Sequence, residues 1–134
     1  GTALIKDITA TIEPGRTVVI DGPPGNSCAA VEAIKPADLV VLVIEPTPFG
    51  IHDMLQTLKI LRDMEKPMVC VANKSLDDSE LRRVLAEQGL SLAVTIPLRT
   101  DILQALLRGE ILSRVDGGVA RQLRKALTAG EGKQ

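Results

Sequence analysis

The chain has 134 residues, 45% of them hydrophobic and 25% charged, enough for one domain with a buried core. One Phe and no Trp or Tyr make that core aliphatic and exclude the stacked aromatic platforms of single-strand nucleic-acid binders. A net charge of -1 supplies no global field toward nucleic acid or anionic lipid, and two cysteines outside any CxxC pair do not make a secreted disulfide framework.

In chain order, Leu4, Ile5, Ile8 and Ile12 recur at helical spacing until Pro14-Gly15 breaks the pattern. Thr17 to Ile20 reads as a short β-branched strand. Asp21 to Gly25 is a loop, and Cys28 to Lys35 fits a short helix stopped by Pro36. The continuous apolar run within Asp38 to Glu45 suits a strand covered on both faces, as in a parallel sheet. Pro46 to Gly50 is read as a loop, with Asp53 favouring the first turn of the helix that follows. Ile51, Met54, Leu55, Leu58 and Leu61 trace that helix by one apolar stripe. Met68 to Ala72 is a buried strand. Leu76 to Ser79 caps a helix carrying Leu81, Val84 and Leu85 that ends at Gly89. Ser91 to Ile96 is a strand closed by Pro97. Asp101 to Leu107 and Val119 to Leu127 are helical, and the tail from Gly130 to Gln134 is expected to fray.

This alternation predicts a single three-layer α/β domain over residues 1–134, with about four mostly parallel strands and helices on both faces. Such sheets bind ligands at the carboxyl ends of their strands. The residues there are Asp21, Glu45-Pro46-Thr47, Asn73-Lys74 and Pro97-Leu98-Arg99.

The first of these, Asp21-Gly22-Pro23-Pro24-Gly25, follows an apolar run and suits the second phosphate-sensing element of a nucleotide hydrolase. The aspartate serves the magnesium shell and the loop feels the terminal phosphate. A strand followed by a tight turn explains the same residues and stays open. No G-x-x-x-x-G-K-[ST] loop occurs in the chain. The opening around Gly22 superficially looks like a transporter ATPase, but Ser27 and Cys28 stand where the second loop glycine and the lysine belong. An Asn at a strand's carboxyl end can bond a purine edge by donating and accepting. Asn73-Lys74 fits this, with a polar turn as its alternative. His52, the sole histidine, has no nearby Cys or second His and is read as solvated or capping. Cys70 belongs to the core. The helix bearing Arg121, Arg124 and Lys125 opposite Val119, Leu123 and Leu127 lacks large apolar anchors and is read as packed or frayed, with no membrane role. No signal peptide is visible and the longest apolar run, Leu39 to Ile44, is far short of a bilayer span, so the cytoplasm is the expected location.

With these residues in view, the segment from Val18 to Lys74 resembles the deviant P-loop ATPases of the MinD/ParA/Mrp (CobQ/CobB-type) class. Val-Ile-Asp-Gly-Pro-Pro-Gly, then Ala-Asp-Leu-Val-Val-Leu-Val-Ile-Glu-Pro-Thr-Pro-Phe-Gly-Ile-His-Asp, then Val-Ala-Asn-Lys look most like the MinD-like branch, many of whose members carry an inserted ferredoxin domain. The likeness runs over about residues 16 to 112. It implies a P-loop NTPase-like fold and a nucleotide sandwich homodimer that binds and hydrolyses ATP with magnesium. On that likeness Asp21 is the catalytic, magnesium-shell aspartate, acting through a water. Gly22, Pro23, Pro24 and Gly25 form the second switch, Asn73 with Lys74 contacts the adenine, and the Pro97 loop flanks the base. In the related nitrogenase iron proteins a cysteine at similar spacing holds a [4Fe-4S] cluster shared by two protomers. Cys28, seven residues after Asp21, is the corresponding candidate, set against a small buried residue at a helix start.

The family's deviant Walker A loop, its first switch and any four-Cys insert are absent from these residues. The expectation is therefore the C-terminal portion of a MinD-like ATP-binding protein whose front part lies upstream of Gly1, with hydrolysis not expected from this chain alone. The chain starts at Gly1-Thr2 without Met, as a cut or tagged chain would. The alternative is a catalytically inert binding or interaction module that keeps the fold. A third reading, GTP binding, lacks its carboxylate, because position 76 is Leu where the guanine motif wants Asp.

Overall fold

Ser27 and Thr47 each stand in extended conformation before a helix. Each hydroxyl accepts a backbone N–H three residues on, from Ala30 at 3.2 Å and from Gly50 at 3.0 Å. These caps satisfy donors that a helix start leaves without intrahelical partners. They open α1 (Cys28–Ile34) and α2 (Pro48–Asp63) in the computed structural model, which describes residues 11, 13, 15–111, 114 and 116–131. Pro48 opens α2 because the N–H it lacks would go unused there. The helix thus starts ahead of its apolar stripe, takes in part of the expected Pro46–Gly50 loop, and puts Asp53 beyond the first turn.

The remaining elements are β1 (Val40–Ile44), β2 (Met68–Ser75), α3 (Ser79–Glu87), β3 (Leu92–Pro97), α4 (Thr100–Leu107) and α5 (Gly117–Glu131). The strands form one parallel sheet in the order β1-β2-β3. Parallel neighbours need crossover connections, and α2 and α3 supply them on the same face. Ile44, Cys70 and Ala72 pack there with Met54 and Leu58 of α2 and Leu81 and Leu85 of α3. On the opposite face Val71 and Val94 meet Val119 of α5, with Leu123 and Ala126 alongside. The result is the α/β arrangement expected, a parallel sheet between helices, with an aliphatic core whose largest fully buried side chains are Leu58, Leu61, Leu81, Leu85 and Val71.

Two expectations are corrected. Thr17 to Ile20 joins no ladder, so the described sheet has three strands rather than about four. β-Branched residues favour a strand only where a neighbouring strand and a packing face receive them, and Val19 is 91% exposed. The second concerns β1, which is covered on one face only. Ile44 is buried against α2, while Val41 and Val43 on the other face are 38% and 58% exposed, because α5 lies over β2 and β3. The helical pattern from Leu4 to Ile12 and the last three residues of the tail lie outside the described residues. Among the described residues no helix is long and apolar enough to cross a membrane.

Long-range polar contacts hold the connections in place. Lys66 Nζ donates to the carbonyls of Lys35 (2.8 Å) and Ala37 (2.9 Å), where α1 ends and its carbonyls lack partners. Arg62 donates to the Gln88 carbonyl at 2.7 Å and ties the end of α2 to the end of α3. Asp78 precedes α3 but does not cap it. Asp77 accepts the Ser79 N–H instead, at 2.9 Å. The Asp78 carboxylate takes a bidentate pair from Arg82 (2.8 and 2.9 Å) and the Thr95 hydroxyl of β3 (2.6 Å).

Arg82 first, and Thr95 second, hold the Asp78 carboxyl below the usual aspartate range. A depressed folded-state value contributes stability that is present above the unfolded value and is lost as pH falls through the folded one. Asp78→Asn is therefore expected to destabilise the chain by about 1 kcal/mol at neutral pH. In urea unfolding measured across pH, the gap from wild type should begin to narrow as pH falls through about 4, the ordinary aspartate value, and close as it passes the lower folded-state value. A gap that stays constant down to acid would contradict the assignment.

Candidate functional site

Strand β2 runs three residues beyond Ala72, so Asn73 and Lys74 lie within the strand, at the break in register between the paired Ala72 and Ser75, rather than after it. Its register with β3 shifts between Ala72 and Ser75, an irregularity of the bulge type that re-aims side chains near sites. Lys74 sits there at a φ of 53°, a left-handed conformation uncommon outside Gly, Asn and Asp. The Asn73 side-chain oxygen stabilises it by accepting the Lys74 N–H at 3.0 Å. That contact uses one acceptor position of Asn73. Among the described residues its amide NH2 donates to no partner, so the donor half remains for a ligand.

The carboxyl ends of all three strands are linked. Lys74 Nζ pairs with Glu45 just past β1 at 2.5 Å. The Leu98 N–H donates to the Ser75 carbonyl at 2.8 Å, drawing the chain after β3 against the end of β2. At the carboxyl ends of β2 and β3, against α4, lies a pocket of about 80 Å3, whose lining includes Asn73, Lys74, Pro97, Arg99, Leu103 and Leu106. The three base-contact candidates, Asn73, Lys74 and Pro97, therefore share one pocket.

Arg99 forms the pocket's charged rim. Its Nε and Nη2 donate to Asp101 at 3.0 and 2.5 Å, and its Nη1 donates to Asp116 at 2.8 Å. The Asp101 bond, above all, raises the guanidinium's already high pKa, and Arg99 in turn holds the Asp101 carboxyl below its usual range. Asp116 also caps α5 by accepting the N–H of Gly118 (3.0 Å) and Val119 (3.1 Å). The Val119 bond is the main cause of its own depressed pKa. Lys74 and Arg99, the cations of the pocket, are thus both paired with carboxylates. Sequence reasoning placed Arg99 at the carboxyl edge without a role. Asp116 before Gly117-Gly118 was readable as a helix cap, but nothing in the spacing pairs it with Arg99.

The other candidates stand elsewhere. Asp21, Gly22, Pro23, Pro24 and Gly25 are exposed ahead of α1, and a Cβ on Gly22 would meet the Ala33 Cβ at 3.4 Å. Among the described residues this loop shares no hydrogen bond, ion pair or lining with the Asn73 pocket. Gly25 has a φ of 77°, a conformation glycine adopts without strain. Cys28, at the first position of α1, is exposed rather than buried. Cys70 is buried, and burial pushes its thiol pKa up, in keeping with a core role. His52 is exposed on α2. Among the described residues no group of three or more His, Cys, Asp or Glu is placed to hold a metal ion.

No family model matches this chain, and no solved structure matches it. Two curated proteins of Methanocaldococcus jannaschii are similar to it. The uncharacterized protein MJ0578 is 34% identical over 56 residues, 42% of this chain and 20% of that protein. The uncharacterized protein MJ0579 is 36% identical over 56 residues, 42% of this chain and 21% of its own length. The chain thus aligns with about a fifth of each curated relative.

The carboxyl edge depends on a close backbone approach at Gly50, where a Cβ would stand 2.3 Å from the Glu45 carbonyl oxygen. Backbone cannot yield as a flexible side chain can. Gly50→Ala is expected to lower stability by about 2 to 3 kcal/mol in chemical denaturation, through forced overpacking. An unchanged midpoint would show that the Glu45 turn is not held this closely.

Proposed function

We propose that this chain is the C-terminal portion of a MinD-like nucleotide-binding domain, contributing the adenine-side and switch elements of an ATP site. One observation carries the reading: Asn73, Lys74 and Pro97, far apart in sequence, line one pocket at the carboxyl edge of a parallel sheet, where α/β folds bind ligands. Base selection follows from the local chemistry. Asn73 offers its amide donors to a purine edge. Leu76 stands where a guanine site would place a carboxylate, and Asp77 is engaged by the Ser79 N–H and hydroxyl.

The phosphates need other partners. Lys74 and Arg99 have their charges already balanced by carboxylates, so the pocket suits a base better than a phosphate. Magnesium, when bound with ATP, supplies charge neutralisation. The residue this chain offers to its shell is the exposed Asp21, and the Gly22–Gly25 loop is the element that would respond to loss of the terminal phosphate. An iron–sulfur cluster needs a full set of thiolates. This chain offers one exposed cysteine, Cys28, which could serve only as one ligand of a cluster shared with a second protomer and completed by cysteines from outside these residues. The uncovered face of β1 at Val41 and Val43 also agrees with a further layer packing over the sheet in a larger domain. A homodimer closing over the nucleotide belongs to the same reading.

The second reading, an inert interaction module that keeps the fold, draws on the same exposed valines and on the Asp21 loop sharing no hydrogen bond, ion pair or lining with the pocket among the described residues. Titrating adenosine and guanosine into the isotope-labelled chain separates the two. Adenosine is expected to shift the amides of Asn73, Lys74 and Leu98 at about millimolar affinity, with guanosine weaker, and Asn73→Ala should weaken adenosine about fivefold. No response to adenosine, or equal response to both nucleosides in wild type and variant, would refute the adenine-side assignment.

A further inference from the structure

The pocket is shallow. Its volume of about 80 Å3 is well under the roughly 300 Å3 at which sites begin to bury most of a ligand. A ring held there by its edge therefore needs a flat surface to lie against. Nucleotide sites take that surface from an aromatic side chain or from the plane of an arginine. The chain's single aromatic residue is Phe49, which lies on α2, is exposed, and is not part of the pocket lining. Among the lining residues, the one that carries a planar group beyond the short amide of Asn73 is Arg99, with its guanidinium.

The Arg99 side chain is 43% exposed and paired with two carboxylates. Its hydrogen bonds run to Asp101 in α4 and to Asp116 at the start of α5, so two separate elements set its orientation. Guanidinium hydrogen bonds lie in the plane of the group. These contacts therefore lie along its edge, taking three of its five N–H donors, and not on its faces. A phosphate would find only part of that edge and two carboxylates beside it, whereas a flat ring would meet neither.

We infer that Arg99 is the stacking platform of this pocket, with a nucleoside base lying flat on its guanidinium while Asn73 meets the base edge. The inference rests on the base-binding reading of the pocket and adds the residue that orients the ring. It favours purines over pyrimidines, because the larger ring covers more of the guanidinium. It also assigns Asp101 and Asp116 as positioning residues that act through Arg99.

The test is an adenosine titration of the labelled chain, followed by NMR, with wild type, Arg99→Lys and Arg99→Ala. Lysine keeps the charge and loses the plane. Stacking predicts that adenosine moves the Arg99 δ-methylene protons of wild type upfield through the ring current. Both variants should bind adenosine about tenfold more weakly, with the amide spectrum of the sheet unchanged. If adenosine shifts Asn73 and Leu98 but the Arg99 δ protons stay in place and Arg99→Lys binds as wild type does, the platform is overturned while the pocket assignment stands. If adenosine shifts nothing, both fall. The wild-type ring-current shift decides the matter even if a variant does not fold.

Discussion

Strand β2 is packed on both faces, with Cys70 and Ala72 against α2 and α3, and Val71 against Val94 and Val119. A strand held this way cannot slip by one residue without turning an apolar set outward. Its register with β1 is regular from Val40–Met68 to Ile44–Ala72. Its register with β3 shifts twice, between Cys70 and Val71 within the core and again between Ala72 and Ser75, where the core ends. The site begins at that boundary. Asn73 and Lys74 leave the ladder because the packing that held Cys70 to Ala72 no longer extends over them, and the left-handed turn at Lys74 is supported by Asn73 itself.

Around this edge the charges are arranged for shape and not for net attraction. Glu45 holds Lys74, and Asp101 with Asp116 holds Arg99. Exposed pairs of this kind add little to stability, so their importance lies in fixing where the two long side chains stand. Asp116 does two jobs at once, capping α5 and anchoring Arg99. Since α5 also covers Val71 and Val94, the helix that closes the second face of the sheet also helps set the rim of the pocket.

Much of this was legible in the sequence. The apolar runs at Val40–Ile44, Met68–Ala72 and Leu92–Ile96 are too short and too continuous for exposed helices, and each became a strand. The polar pair after Ala72 and the proline after Ile96 fell at strand ends, which is why Asn73, Lys74 and Pro97 could be singled out before their meeting in space was known. What the sequence hid depends on partners far along the chain. Thr17–Ile20 has strand composition, but composition does not provide a neighbour to pair with. The exposure of Val41 and Val43 follows from where α5 lies, and no local pattern encodes that. The Arg99–Asp116 bond joins residues on either side of α4. Pro48 as the first residue of α2 was readable from the Thr47 cap and was missed because the apolar stripe starts only at Ile51.

The central claim is that the carboxyl ends of β2 and β3 seat a nucleoside base. Intermolecular NOEs from the adenine ring protons of adenosine, collected on the methyl-labelled chain, test it most directly. The account predicts NOEs to the methyls of Leu103 and Leu106 and to the Pro97 ring protons, all of which line the pocket. NOEs confined to Val41 and Val43 on the open face of β1, or to the Asp21–Gly25 loop, would contradict it.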